Sequence, residues 1–237
     1  MVLWGTIINA IAIICGSLLG SVFNRISEGI RTTVMQGIGI VVCVLGVSMG
    51  LKTENMLIPI FSLVLGGILG ELFHVSDKLE RLGIWIEGIV GKGGKGNIAT
   101  GFVTATLVYC VGAMGILGAM DSGLRLNHDI LYTKSILDGF TAVIFTSTLG
   151  IGVAFSAIPV FLYQGLIALA STFISSVISQ DMLTAIIQEV TAVGGILIIG
   201  IGINILELKK INVANLLPAI LFAVMLVPLI SKISQYL

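Results

Sequence analysis

The sequence predicts an all-α protein, a polytopic bundle of transmembrane helices, and three observations carry that expectation. Charged residues make up 10% of the 237 residues, 12 basic against 12 acidic, while hydrophobic residues make up 57%. A soluble domain carries about 25% charged residues, and so few polar groups could not cover its surface. The apolar residues also fall in long runs without a two-residue alternation, which argues against an outer-membrane β-barrel. Helices remain, because lipid offers no partner to the edge of an open sheet. The same composition excludes intrinsic disorder. Zero net charge and the lack of a Lys/Arg-rich block remove the electrostatic basis for nucleic-acid binding.

A bilayer core about 30 Å thick calls for about 20 apolar residues per helix. Residues 2–23, 33–51, 56–73, 98–120, 135–155, 158–178, 182–206 and 213–230 meet that need, giving seven or eight spans in one transmembrane domain covering 1–237. No basic leader with a small-residue cleavage site precedes the first run, so a cleaved signal peptide is not expected. Between the third and fourth runs, residues 75–90 mix Asp77, Lys78, Glu80, Arg81 and Glu87 with Leu79, Leu82, Ile86, Ile89 and Val90. That pattern predicts an amphipathic helix on the cytoplasmic surface of the membrane. With the N-terminus outside, eight Lys and Arg fall on the cytoplasmic side and four on the other, which favours this orientation. The protein is thus expected to span a membrane, in contact with the lipid bilayer.

Gln36, Asp138 and Gln188 each precede a Gly by the same step, at Gly50, Gly152 and Gly202. A duplication of units 1–73 and 98–178, followed by a hairpin at 182–233, would explain the recurrence. Three spans per unit would place the second copy upside down, and inverted repeats characterise many secondary transporters. Gly112, Gly115 and Gly118 in the fourth span, and Gly150 and Gly152 before Pro159 in the fifth, predict broken helices whose free backbone lines a cavity. The pairs Gly16/Gly20, Gly46/Gly50 and Gly66/Gly70 suit close helix packing and suggest a homodimer.

Polar groups inside spans are costly and are the first candidates for binding a small solute or a monovalent cation. Asp138 follows Lys134 by one turn near the outer end of the fifth span; an interfacial ion pair and cation or proton coordination both fit. Glu189, beside Gln188, lies about two turns into the seventh span. Asn9, Gln36, Gln164 and Asn204 need partners in lipid and suggest a polar seam, which Thr146, Ser147 and Thr148 could line unless they bond back to their own helix. Cys15, Cys43 and Cys110 read as buried thiols, and with His74 and His128 isolated in loops no metal site or cofactor is expected. Residues 91–97 imitate a phosphate loop, but Asn97 follows Gly96 where Lys-Ser/Thr is required, so a linker is the better account.

Enzymatic chemistry is not expected. The His-Glu-x-x-His zinc motif is missing, and both histidines lie in loops away from a serine nucleophile. Transport of a small solute or ion is the favoured function, with a non-transporting scaffold or regulatory protein as the alternative.

Several longer motifs are familiar. They are residues 109–118 (YCVGAMGILG), 134–139 (KSILDG), 156–160 (SAIPV) with 163–165 (YQG), 189–195 (EVTAVGG), 200–204 (GIGIN) and 213–219 (VANLLPA). Residues 5–9 (GTIIN) and 66–71 (GGILGE) belong with them. Together they resemble the bacterial YdfK/YqgA family of multi-spanning membrane proteins of unknown function. The pattern departs at Asp121–Ser122–Gly123, where the family favours an acidic or amide residue directly before the Gly. The resemblance implies a multi-spanning inner-membrane protein and supplies no substrate. Asp138, Gln164, Glu189 and Asn204 fall within its motifs.

Overall fold

The computed structural model describes residues 1–22, 28–79, 81 and 98–234, and no strand occurs among them. The expected all-α class therefore holds. The helices are α1 (Trp4–Val22), α2 (Glu28–Gly50), α3 (Leu57–Leu72), α4 (Ile98–Cys110), α5 (Ala113–Arg125), α6 (Asp129–Leu149), α7 (Ala157–Val177), α8 (Gln180–Ile205), α9 (Val213–Leu216) and α10 (Ala219–Ser234). A 3₁₀ turn, Ile151–Ser156, joins α6 to α7. Most of the expected amphipathic segment 75–90, and all of the glycine-rich stretch 91–97, lie outside the described residues; residues 75–79 are helical.

Among the described residues, five helices could cross a membrane by length and composition, or six if the bent pair α4–α5 counts as one span. This is below the seven or eight expected, for two reasons. Helix α3 has 16 residues, about 24 Å at 1.5 Å per residue, which is short of a bilayer core. Helix α6 begins at Asp129, two turns before the expected start at 135, and so carries Asp129, Lys134 and Asp138. Its start is marked locally: Asn127 Oδ1 accepts from the Asp129 amide at 3.1 Å, and Asp129 suits the positive end of the helix dipole. At the head of α8, the Ser179 hydroxyl accepts from the Met182 amide at 3.3 Å, with Asp181 in the first turn.

Both expected breaks exist. The helices on either side of residues 111–112 meet at 60°, and Gly112 has φ 141°, a value that strains any residue with a Cβ. The second break falls at Gly150, φ 90°, rather than at Pro159. Pro159 instead occupies the first turn of α7, where its missing N–H costs nothing.

The chain forms two compact units. The first contains Met1–Val34 and Leu79–Val177, hence α1 and α4 to α7. Its main seam is α1 on α6, where Gly5, Asn9, Ile13, Gly16 and Gly20 make one buried stripe along α1. A Cβ on Gly16 would run into the Gly139 carbonyl, and one on Gly20 into that of Val143. Elsewhere in this unit, Gly123 lets α5 meet the Ala168 backbone and Gly152 lies under the Ile98 backbone.

The second unit contains Met35–Lys78 and Ile178–Leu237. Here α8 meets α2 where the Cβ positions of Gly46 and Gly195 each lie 2.6 Å from the other's carbonyl oxygen. Gly66 and Gly70 bring α3 against the Ala219 and Asn215 backbones. Ile58, Ile186, Val190, Val193, Ala219, Ala223 and Val227 form its core. All three Gly pairs offered above as a dimer surface are therefore occupied within the chain.

Candidate functional site

The first unit contains a buried charged cluster. Four residues apart on α6, Lys134 and Asp138 share one helix face, and the ammonium donates to Oδ1 at 2.9 Å and to Oδ2 at 2.7 Å. Their side chains are 9% and 8% exposed, so the ion pair is buried within the protein. The glycine stripe that seats α1 on α6 also delivers Asn9, whose Nδ2 donates to Asp138 Oδ2 at 3.1 Å. The same Nδ2 reaches Gln164 Oε1 of α7 at 3.4 Å. Asp138 and Gln164, two of the sequence candidates, are thus linked through a third, Asn9.

The break at Gly112 lies beside this cluster. A Cβ on Gly115, in the first turn of α5, would sit 3.6 Å from Lys134 Cε and 3.5 Å from Tyr163 Cε1. At Gly112 the Cβ position has no atom within 4 Å, and no side chain caps the α5 amides. Those amides carry a partial positive charge equivalent to roughly half a proton.

Several buried polar atoms here have no hydrogen-bond partner among the described residues: Asn9 Oδ1, Gln164 Nε2 and Tyr109 Oη, together with hydroxyls of Thr6, Ser17, Thr106 and Thr146. All belong to the first unit; Ser62 is the corresponding atom in the second. Each unsatisfied group costs about 1–3 kcal/mol, and native proteins hold few of them. Tyr109 is 1% exposed and stacks on Phe145 of α6, with ring centroids 6.3 Å apart. Sequence reasoning passed over Tyr109; its signal was its place three residues before Gly112. Of the Thr146–Ser147–Thr148 run, Ser147 and Thr148 bond back to carbonyls of their own helix.

The remaining candidates lie elsewhere. Gln36 is exposed on α2, and Gly152 is a packing position. Glu189 is buried in the second unit, accepting from Thr53 Oγ1 at 2.7 Å and from the Glu54 amide at 3.0 Å. Beside it, Gln188 donates to the Lys52 carbonyl at 2.7 Å, so the two residues clasp the loop between α2 and α3. Asn204 clamps Ile211 from both sides, donating to its carbonyl at 2.8 Å and accepting from its amide at 2.7 Å.

One expectation about isolated residues is corrected. His128 is not remote from a serine: its Nδ1 lies 2.6 Å from Ser122 Oγ. Ser122 Oγ, however, donates to the Val2 carbonyl at 2.8 Å. With that proton directed at the carbonyl, the His128 tautomer protonated at Nδ1 donates to Ser122 Oγ. Among the described residues no group of three or more His, Cys, Asp or Glu could hold a metal ion.

Comparison with known proteins agrees with the family resemblance. Residues 4–228 match the family described as "Protein of unknown function (DUF554)". The chain is 35% identical to the uncharacterized membrane protein YdfK of Bacillus subtilis (strain 168), over 92% of this chain and 93% of that one. It is 30% identical to the uncharacterized protein YqgA of Escherichia coli (strain K12), over 92% and 94%. No solved structure matches the chain.

Proposed function

We propose that this chain, which belongs to the DUF554 family, is a secondary transporter or channel that passes a small solute or ion across the bacterial inner membrane. The observation that carries this reading is the buried Lys134–Asp138 pair, joined to Asn9 and Gln164 beside the Gly112 break. The ion pair lies within one helix, its only bond to another element among the described residues is that from Asn9, and burying it is costly. In an apolar membrane protein, such a group at a broken helix is best explained by a solute path. A duplication with inverted topology belongs to the same reading, as does the absence of enzymatic chemistry.

The test is flux. Purified protein in proteoliposomes should move at least one member of a broad panel of ions and small polar solutes, and Asp138→Asn should lower that flux about tenfold or more. Folded protein that moves nothing would sink the reading. The proposed orientation places the N-terminus outside.

A further inference from the structure

We infer that the solute is a short zwitterion of the α-amino-acid class, held by its ammonium and carboxylate groups in the Lys134–Asp138 cluster. This rests on the transport reading for its biological sense, but its own grounds are charge and hydrogen-bond balance. The cluster is electroneutral, one ammonium against one carboxylate. A lone cation or a lone anion entering it would leave one uncompensated charge in a dry environment, which a zwitterion does not.

The unpaired polar atoms divide in the same way. Asn9 Oδ1 is an acceptor on the amide that already donates to Asp138, so an acceptor and a carboxylate stand together. Gln164 Nε2 is a donor, and Tyr109 Oη can act as either. Lys134 lies against the first turn of α5, whose uncapped amides add to the positive side. The ligand ammonium then replaces Lys134 at Asp138 and finds Asn9 Oδ1. The ligand carboxylate takes the freed Lys134 and the α5 amides, as expected for a half-helix N-terminus facing an anionic substrate group. At Gly112 a Cβ would meet no atom within 4 Å, so no side chain fills the backbone break next to the cluster. Asn9, Gln164 and Tyr109 are 0%, 0% and 1% exposed, so each already bears the cost of burial that a ligand would relieve.

The test begins with unmodified full-length protein in detergent. It is titrated with the standard L-α-amino acids by thermal shift, and the best by calorimetry. At least one should bind, and its decarboxylated amine and deaminated acid should each bind about tenfold or more weakly. The double variant Lys134→Met/Asp138→Met, which removes both charges and leaves neither stranded, should lose binding while keeping its melting transition. The proposal is overturned if no amino acid binds, if either single-charge analogue retains full affinity, or if the double variant binds as the parent does. Uptake by proteoliposomes separates the two ideas. Amino-acid binding without uptake upholds the site and sinks transport; flux of another solute without amino-acid binding does the reverse.

Discussion

Lys134 and Asp138 sit one turn apart, so α6 alone would bring them together, whereas Asn9 and Gln164 reach them only through tertiary packing. This difference predicts how the cluster responds to substitution. Asp138→Asn strands a buried ammonium and should cost about 3–5 kcal/mol. Lys134→Met/Asp138→Met removes the whole pair and should cost far less, down to nothing. Reversible unfolding in detergent, taken around the double-mutant cycle, should give a coupling term of the size of the single loss; additive losses would mean that the pair is not energetically a pair. At this scale the sequence was informative about chemistry and less so about environment. It named Asp138, Asn9 and Gln164, but the i,i+4 spacing could not show whether the pair faced water or the interior. Glu189 illustrates the converse, for its burial was expected while its partners, Thr53 and Glu54, are 136 and 135 residues away and invisible to any local pattern.

The decisive property of the helices is how closely their backbones approach. Gly16 and Gly37 are both helical glycines of an apolar run, yet their surroundings are opposite. A Cβ at Gly16 meets the Gly139 carbonyl, whereas one at Gly37 meets nothing within 4 Å. Gly16→Ala should push α1 off α6 and cost about 1–3 kcal/mol, because backbone cannot repack as a side chain can. Gly37→Ala should be neutral or raise stability by about 0.5–1 kcal/mol through helix propensity. Thermal melts of the two variants check both signs, and equal losses would refute the packing account. Periodicity and Gly clustering made most helices and the Gly112 break legible. Where α6 begins was not legible from hydropathy, since Asp129 to Lys134 read as a polar flank while capping and burial within the unit extend the helix through them.

On the scale of the whole chain, each compact unit is built from two separated stretches of sequence: residues 1–34 join 79–177, and 35–78 join 178–237. No composition shift marks these boundaries, because both units have the same apolar, glycine-rich character, and so the interleaving could not be read from the sequence. It predicts that a cut within residues 82–97 leaves two fragments that each hold part of both units. Expressed singly, neither should resist protease; expressed together, they should reconstitute a protected, co-purifying complex. A fragment stable by itself would contradict the interleaving. The Gly112 break has one more consequence. Its backbone angle is one that glycine adopts at almost no cost, so α4 and α5 are parted without strain at that residue. A path that had to melt a continuous helix would lose that work from its affinity at each cycle. On the proposed transport reading, a break preorganised by a single missing side chain leaves the binding energy available for discrimination between solutes.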